Sequence, residues 1–263
     1  MNSHASIVTR VGAAVLKDIE GLNGDSLGFE RSECCGPLPP KLPGSFEPLI
    51  HHAFMSTTVS STLWDKMCSN VEGFEGLRVA CKSKLPKSMA TAFCDANASA
   101  RSVLLFKYDD EAKRVHATEY SGEWQSSELP WDAKGVIASD RSDETFIFVC
   151  AHLRRDDRCG YCGPVLVELI KQAVAKHSSS AVHEKVRVFP CSHVGGHVYA
   201  GNVLLYNKKG SVCIGCFCPS DIEALLDGIA TNGVETVPPS LAARVRGSMG
   251  TQPEKKESNC TVV

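Results

Sequence analysis

Residues 145–164 read TFIFVCAHLRRDDRCGYCGP, and this stretch decides how the second half of the chain is interpreted. Its first six residues are mostly aromatic or β-branched, as is typical of a buried strand. A polar loop follows, and Pro164 then opens the helical pattern PVLVELIKQAVAKH, because proline is well tolerated in the first turn of a helix. The stretch therefore predicts a strand ending at Cys150, a loop, and a helix that starts just after Cys159.

The elements that follow extend this unit. VRVFP is the next predicted strand, and the glycine-rich loop HVGGH comes directly after it. GNVLLYN and SVCIGCF are two further strands around the turn NKKG, and a final helix begins at Pro219. An order of strand, helix, strand, loop, strand, strand and helix is that of a thioredoxin-like fold. We therefore predict an α/β protein whose C-terminal domain, residues 136–250, is thioredoxin-like.

Residues 46–135 are interpreted as a smaller N-terminal α/β domain. AFMSTTV predicts a strand, and SVLLFKY and RVHATEY predict a hairpin around DDEAK. Ser60 or Ser61 can cap a helix through STLWDKMCSNVEG, because a serine hydroxyl accepts a free N–H of the first turn. His51 and His52 are expected at the surface or at a boundary.

The two ends of the chain have the composition of irregular segments. Residues 1–45 contain the Gly-, Pro- and Ser-rich run GDSLGFERSECCGPLPPKLPGSF, and residues 251–263 form a polar tail that we expect to be flexible. The final four residues, CTVV, have the form of a prenylation signal with an unusual last residue. A weak lipid anchor at Cys260 is therefore one expectation for the tail, and a free cysteine is the other.

Composition limits the class of protein. The 28 basic and 30 acidic residues nearly balance, which argues against a nucleic-acid partner held by bulk charge. No apolar run approaches the ~20 residues that a membrane span needs. Thirteen cysteines without a secretory signal indicate thiols in a reducing compartment. We expect a cytoplasmic protein; a mitochondrial location is the alternative, because the first 17 residues contain Arg10 and Lys17 but no acid.

Four side chains form a candidate metal site: Cys150, Cys159, His193 and His197. The two cysteines flank one loop and the two histidines lie in the next, so all four are expected at one edge of the sheet. Gly195 and Gly196 allow the sharp turn that brings both imidazoles to one side. Two thiolates and two imidazoles can bind a [2Fe–2S] cluster or zinc. The eight residues between the cysteines are many for a zinc finger, which favours the cluster.

A second interpretation uses Cys159 and Cys162. They form a C-x-x-C at the start of a helix, where a low thiol pKa is typical of thiol–disulfide oxidoreductases. This alternative gives Cys150 and the two histidines no role. Cys34 and Cys35 are expected to be incidental thiols. Cys213, Cys216 and Cys218 alternate along a predicted strand and are expected at core and surface positions.

VCAHLRRDDRCGYCGP, PCSHVGGHVYAGNVLLY and RVRGSMG together resemble the sucrase/ferredoxin-like family over residues 145–250. The resemblance implies a [2Fe–2S] cofactor bound by Cys150, Cys159, His193 and His197. It implies an electron-transfer protein in redox homeostasis, a carrier rather than a catalytic enzyme, with a reductase or electron acceptor as its partner. Leu153 stands where family members often have glycine.

The loop between the two cysteines is rich in arginine. Arg154, Arg155 and Arg158 are interpreted as a positive rim that docks an acidic partner, or as an ordinary solvated basic loop. Asp156 and Asp157 reduce the positive field of this loop.

Overall fold

The computed structural model of the chain describes residues 9–29, 42–98, 100–125, 128–232 and 237–250. Cys34, Cys35 and Cys260 lie outside these ranges. The strands are β1 (His51–Thr57), β2 (Ser88–Cys94), β3 (Ser102–Asp109), β4 (Arg114–Ser121), β5 (Ile137–Asp140), β6 (Thr145–Cys150), β7 (Val186–Cys191), β8 (Val203–Asn207), β9 (Gly210–Ile214) and β10 (Val245–Gly247). The helices are α1 (Ala13–Asp18), α2 (Gly24–Leu27), α3 (Phe74–Lys84), α4 (Asp157–Lys176), α5 (Ser180–His183), α6 (Ile222–Asn232) and α7 (Pro239–Ala242).

The ten strands of the described residues belong to one mixed sheet, in the order β10-β9-β8-β6-β7-β2-β1-β3-β4-β5. The α/β fold class is therefore confirmed. The β3–β4 hairpin and the strands β6, β7, β8 and β9 lie where the sequence predicts them. None of the described helices is long and apolar enough to cross a membrane.

The two halves of the sheet repeat one topology. In the first half β1 and β2 are parallel neighbours joined through α3. Strand β3 then pairs antiparallel with β1, and β4 pairs antiparallel with β3. In the second half β6 and β7 are parallel neighbours joined through α4, and β8 and β9 add antiparallel beside β6. The equivalent strands β2 and β7 meet antiparallel, where Phe93 pairs with Cys191. The predicted boundary at residue 135 thus lies within a continuous sheet, and the domain division stays a prediction.

One apolar core runs through both halves. Phe54 of β1 stacks on Phe148 of β6 with ring centroids 3.8 Å apart, and Phe106 and Phe146 pack around them. The sheet curls enough for β4 to approach β8, since the Val115 N–H donates to the Lys208 carbonyl across 3.3 Å. The helices cover the other face, where α4 and α6 pack on the second half and α3 packs on the first.

The predicted helix through residues 61–73 is wrong, because the structure has turns there and α3 begins only at Phe74. The cause is the side chain of Asp65, which accepts the backbone N–H groups of Met67, Ser69 and Asn70. A local side-chain acceptor competes with the hydrogen bonds of a helix. Cys68 also has a positive φ of 58°, which an α-helix excludes.

His51 and His52 were expected at the surface or at a boundary, but both are buried, because β1 lies inside the sheet. His52 is 0% exposed; its Nδ1 lies 2.7 Å from the Tyr206 hydroxyl and its Nε2 2.7 Å from Thr91 Oγ1. Two hydroxyl partners satisfy a neutral imidazole without supplying negative charge. Burial therefore lowers the pKa of His52 to about 3.

This buried imidazole makes stability depend on pH. Below pH 6.5 the unfolded chain protonates His52, whereas the folded protein does so only near pH 3. The unfolded state binds more protons in this window, so the free energy of unfolding should fall by about 2 kcal/mol between pH 6.5 and 5 from this group. His52→Gln, measured by urea unfolding at both pH values, should show a correspondingly smaller loss than the wild type. Equal losses in the two proteins would contradict the account.

Candidate metal centre

Cys150 ends the central strand β6 and is 0% exposed. Its N–H donates to the Asn202 carbonyl of the neighbouring segment, and the next N–H, of Ala151, donates to the Cys191 carbonyl. These two bonds, each 3.0 Å long, continue the sheet past the end of the strand. The sulfur is therefore held by stiff backbone on both sides.

Cys159 lies in the first turn of α4. The sequence predicted that this helix starts at Pro164, but α4 begins at Asp157, and Pro164 lies within it. Asp156 caps the helix by accepting the Arg158 N–H across 3.0 Å. The cap places the cysteine inside the helix rather than in the loop before it.

Glycine allows α4 to approach the Cys150 segment closely. A Cβ atom added to Gly163 would lie 2.5 Å from the Cys150 carbonyl oxygen and 2.6 Å from Ala151 Cβ. A Cβ atom on Gly160 would lie 2.9 Å from Leu153 Cα. No larger residue fits at either position without moving the helix, so the two glycines set the distance between the cysteines.

The two sulfurs interact directly. The thiol of Cys159 hydrogen-bonds to Cys150, and this bond, together with His193, holds the pKa of Cys150 well below its usual range despite burial. The same bond and burial raise the pKa of Cys159. The pair therefore stabilises one thiolate, which is the form that binds metals.

His193 completes a cluster of three donors. It follows β7, and its Nδ1 lies 3.9 Å from Cys150 Sγ. Donor atoms of Cys150, Cys159 and His193 all lie within 4.8 Å of one another. Three of the four predicted ligands thus meet at the predicted edge of the sheet.

His197 lies beside this cluster but outside it. It begins a short 3₁₀ turn, His197–Tyr199, and its ring centroid is 5.9 Å from that of His193. Gly195 and Gly196 both have positive φ, 83° and 67°, which produces the turn between the histidines. The His197 ring is exposed and is not part of the group of three donors.

The two cysteines of the rival interpretation, Cys159 and Cys162, belong to different core clusters. Cys162 is buried in the core beneath α4 and donates its S–H to the Leu27 carbonyl across 3.4 Å. Cys159 lies in a separate core cluster, on the opposite face of the sheet from the cluster of Cys162, together with Cys150 and Cys191. Cys213, Cys216 and Cys218 are all buried, so the expectation that they alternate between core and surface positions is wrong.

His152 is a residue of this site that the sequence analysis did not single out. Its Nε2 donates to the Asp65 carbonyl across 2.7 Å, which leaves Nδ1 as an acceptor for the His193 N–H at 3.4 Å. The sulfur of Cys68 lies 3.9 Å from the same Nδ1. His152 therefore joins the Cys150 segment, the histidine loop and the first half of the protein. Its position two residues after Cys150 was the signal in the sequence.

Arg246, in the stretch RVRGSMG that carries part of the family resemblance, lies beneath the histidine loop and is 1% exposed. Its guanidinium donates to the Gly195 carbonyl at 3.1 Å, to Asn202 Oδ1 at 2.7 Å and to the Ser45 carbonyl at 3.1 Å. Asn202 in turn donates to the Gly196 carbonyl across 3.0 Å. Arg246 makes no ion pair with a carboxylate among the described residues. The loop of the two histidines is thus fixed from below by a buried positive charge.

The arginines between the two cysteines differ in their surroundings. Arg158 is paired with Asp156 in two hydrogen bonds of 2.8 and 2.9 Å. Arg154 and Arg155 are exposed. Arg158 is therefore neutralised by a neighbouring carboxylate, and Arg154 and Arg155 are the exposed part of the predicted positive rim.

The donor set suits a metal with affinity for sulfur. Buried thiolates are unfavourable unless a cation or hydrogen bonds compensate them. Thiolate with imidazole is a common ligand set for zinc and for iron–sulfur clusters. Zinc–ligand bond lengths place the sulfur and nitrogen of one tetrahedral ion about 3.6 Å apart, close to the observed 3.9 Å. The residues present therefore fit a metal cofactor.

Curated relatives match part of the chain. Altered inheritance of mitochondria protein 32 of Meyerozyma guilliermondii is 38% identical over 96 residues, which are 36% of this chain and 33% of the relative. The protein of that name from Debaryomyces hansenii is 29% identical over 41% of this chain and 40% of its own. Actin patches distal protein 1 of Saccharomyces cerevisiae is 28% identical over 39% of this chain and 34% of its own.

The matching segments span about a third to two fifths of those relatives. No solved structure matches the chain. The names of these relatives concern mitochondrial inheritance and actin patches, and none is that of a ferredoxin or an electron carrier. The expected function, an iron–sulfur electron-transfer protein serving redox homeostasis, is contradicted by these names. The reason is that donor chemistry indicates what a site can bind and not the cellular process it serves.

The predicted family, by contrast, is confirmed. The sucrase/ferredoxin-like family model matches residues 32–244 of the 263. The match includes all four candidate ligands, the histidine loop and most of both halves of the sheet. The chain belongs to the sucrase/ferredoxin-like family.

Proposed function

We propose that this protein binds a metal cofactor through Cys150, Cys159 and His193, with His197 as the fourth ligand. The convergence of the first three donors within 4.8 Å carries the proposal. When bound, the cofactor supplies the positive charge that two buried thiolates require. The chain's own residues hold the ligands in place: the end of β6, the first turn of α4 and the loop after β7 each contribute one or two of them.

Two occupants are compatible with this ligand set. The family resemblance implies a [2Fe–2S] cluster, for which two thiolates and two imidazoles are a known combination. A single zinc ion is the alternative, and the 3.9 Å between Cys150 Sγ and His193 Nδ1 supports it.

Metal analysis of the purified protein tests the proposal. Protein purified without oxygen should contain close to one metal centre per chain. Iron and acid-labile sulfide in equal amounts, with a red-brown colour, would indicate the cluster. One equivalent of zinc in a colourless protein would indicate the single ion. Protein that contains neither, and takes up neither after reconstitution, would overturn the proposal.

The names of the relatives suggest a cellular setting. We propose that the metal centre serves a process connected with mitochondrial inheritance, which also supports the mitochondrial alternative for the location. Deleting the gene and restoring it with the wild type or with Cys150→Ser tests this. If both versions restored mitochondrial distribution, the metal centre would not be needed for that process.

We also propose that each half of the sheet is a thioredoxin-like unit. The repeated order of strand, helix, parallel strand and two antiparallel strands supports this, with the first strand of each half between the second and the third. An experimental structure of the whole chain, superposed half on half, checks the proposal.

A further inference from the structure

A pocket of about 140 Å³ opens beside the candidate metal centre, between the two halves of the protein. The first half contributes the turn that contains Lys66 and Cys68, together with Arg78 of α3. The second half contributes Arg155 and Ser192, and the ring of His193 forms part of the wall. A ligand in this pocket would contact both halves.

The inner wall of the pocket is buried and polar. Ser192 is 4% exposed and His152 is 2% exposed. The Ser192 hydroxyl accepts the Ala92 N–H across 3.0 Å, and the Ala92 carbonyl accepts the Ser192 N–H across 2.8 Å. This reciprocal pair ties the end of β7 to β2, so the wall has a fixed shape.

The charged residues that line the pocket are all basic. Arg78 is neutralised by Glu75, which accepts from its Nε at 2.8 Å and from its Nη2 at 2.6 Å. Lys66 and Arg155 make no ion pair with any residue that the structure describes, and the polar contact of Arg155 is a 3.8 Å approach to Met67 Sδ. The nearby carboxylate of Asp65 already accepts four hydrogen bonds from its own turn. None of these hydrogen bonds comes from Lys66 or Arg155, so the donors of both cations at the rim are available to an anion.

The volume restricts what can bind. A water molecule occupies about 30 Å³ in the liquid, so the pocket has room for about four or five waters. That space is enough for one oxyanion group. Arginine and lysine together favour oxygen-rich anions, because arginine donates two parallel N–H groups and lysine acts as a point charge.

We propose that this pocket binds a small oxyanion, a phosphate or sulfate group or a carboxylate, between Lys66 and Arg155 and next to His193. The geometry supplies two exposed cations at the rim that make no ion pair with a described residue, a buried polar wall and a volume sufficient for one such group. This binding requires only the folded chain and goes beyond the proposed metal function. A ligand there would contact His193, which is also a proposed metal ligand, so the two sites have this residue in common.

Titration of the full-length protein with inorganic phosphate, at constant ionic strength maintained with chloride, tests the proposal. Binding should be saturable, with one phosphate per chain. Lys66→Gln and Arg155→Gln should each weaken it by about tenfold, since each removes a charge-assisted contact. Lys185→Gln is the matched control, because Lys185 precedes β7 at the end opposite to Ser192, and it should bind phosphate like the wild type. Parallel titrations with sulfate and acetate identify which oxyanion class is preferred.

Saturable binding that is unchanged in Lys66→Gln and Arg155→Gln would overturn the proposal, and so would the absence of saturable binding for all three anions. Both side chains are exposed, so their replacement should leave the fold intact. Metal content measured on the same samples separates the two sites. Phosphate binding by protein that takes up no metal even after reconstitution would reject only the proposed metal function. Metal uptake without phosphate binding would reject only the anion pocket.

Discussion

Cys150→Ser should lose at least about a hundredfold in metal affinity and should be isolated with little or no metal. Structural metal sites derive about 10–16 kcal/mol from three or four ligands, so one lost ligand removes several kcal/mol of that. Cys150 is the most consequential ligand because its sulfur contacts both Cys159 and His193. Metal content per chain and a competition titration with a chelator measure the effect.

Cys162→Ser is the matched control for this experiment. Cys162 is also a buried cysteine next to the centre in sequence, but its sulfur faces Leu27 in the other core. Its replacement should leave the metal content unchanged. If Cys162→Ser lost the metal and Cys150→Ser retained it, the assignment of the ligands would be wrong.

Gly163→Ala should destabilise the protein by about 2–3 kcal/mol and weaken metal binding as well. The added methyl group would meet the Cys150 carbonyl oxygen at 2.5 Å, which is backbone and cannot rotate away. Helix α4 must then shift, and Cys159 shifts with it. Urea unfolding of the metal-free protein measures the loss of stability, and chelator competition measures the loss of affinity.

Gly12→Ala provides the comparison for Gly163→Ala. A Cβ atom on Gly12 would meet nothing within 4 Å, and the φ of Gly12 is −75°, which alanine adopts freely. The change in its free energy of unfolding should stay below about 1 kcal/mol. Equal effects of the two substitutions would show that the approach of α4 to the Cys150 segment does not control the site.

Sequence patterns predicted the elements that are governed by local periodicity. TFIFVC became the central strand β6, and the hairpin of β3 and β4 lies where two alternating runs flank DDEAK. The helix predicted after Ser61 failed because Asp65 supplies competing acceptors to its own turn. The burial of His52 could not be predicted either, since it depends on Thr91 and Tyr206, which arrive from distant strands.

The candidate site was predictable as a set of ligands but not as a complete structure. Cys150, Cys159 and His193 were identified from strand ends and spacing, and they converge as expected. The residues that hold the ligands in place were not predicted. Arg246 reaches the histidine loop from a strand more than forty residues later, and His152 hydrogen-bonds to the Asp65 carbonyl in the first half of the protein. The continuous sheet was also missed, because its junction consists of strands that pattern analysis assigned to separate domains.

X-ray absorption at the edge of the bound metal tests the central claim most directly, because it counts the ligand atoms. The account predicts a first shell that contains sulfur at about 2.3 Å together with imidazole nitrogen at about 2.0–2.1 Å. The nitrogen contribution should decrease in His193→Ala, and the sulfur contribution should be the same in Cys162→Ser as in the wild type. A first shell of oxygen and nitrogen without sulfur would contradict the claim that Cys150, Cys159 and His193 bind the metal.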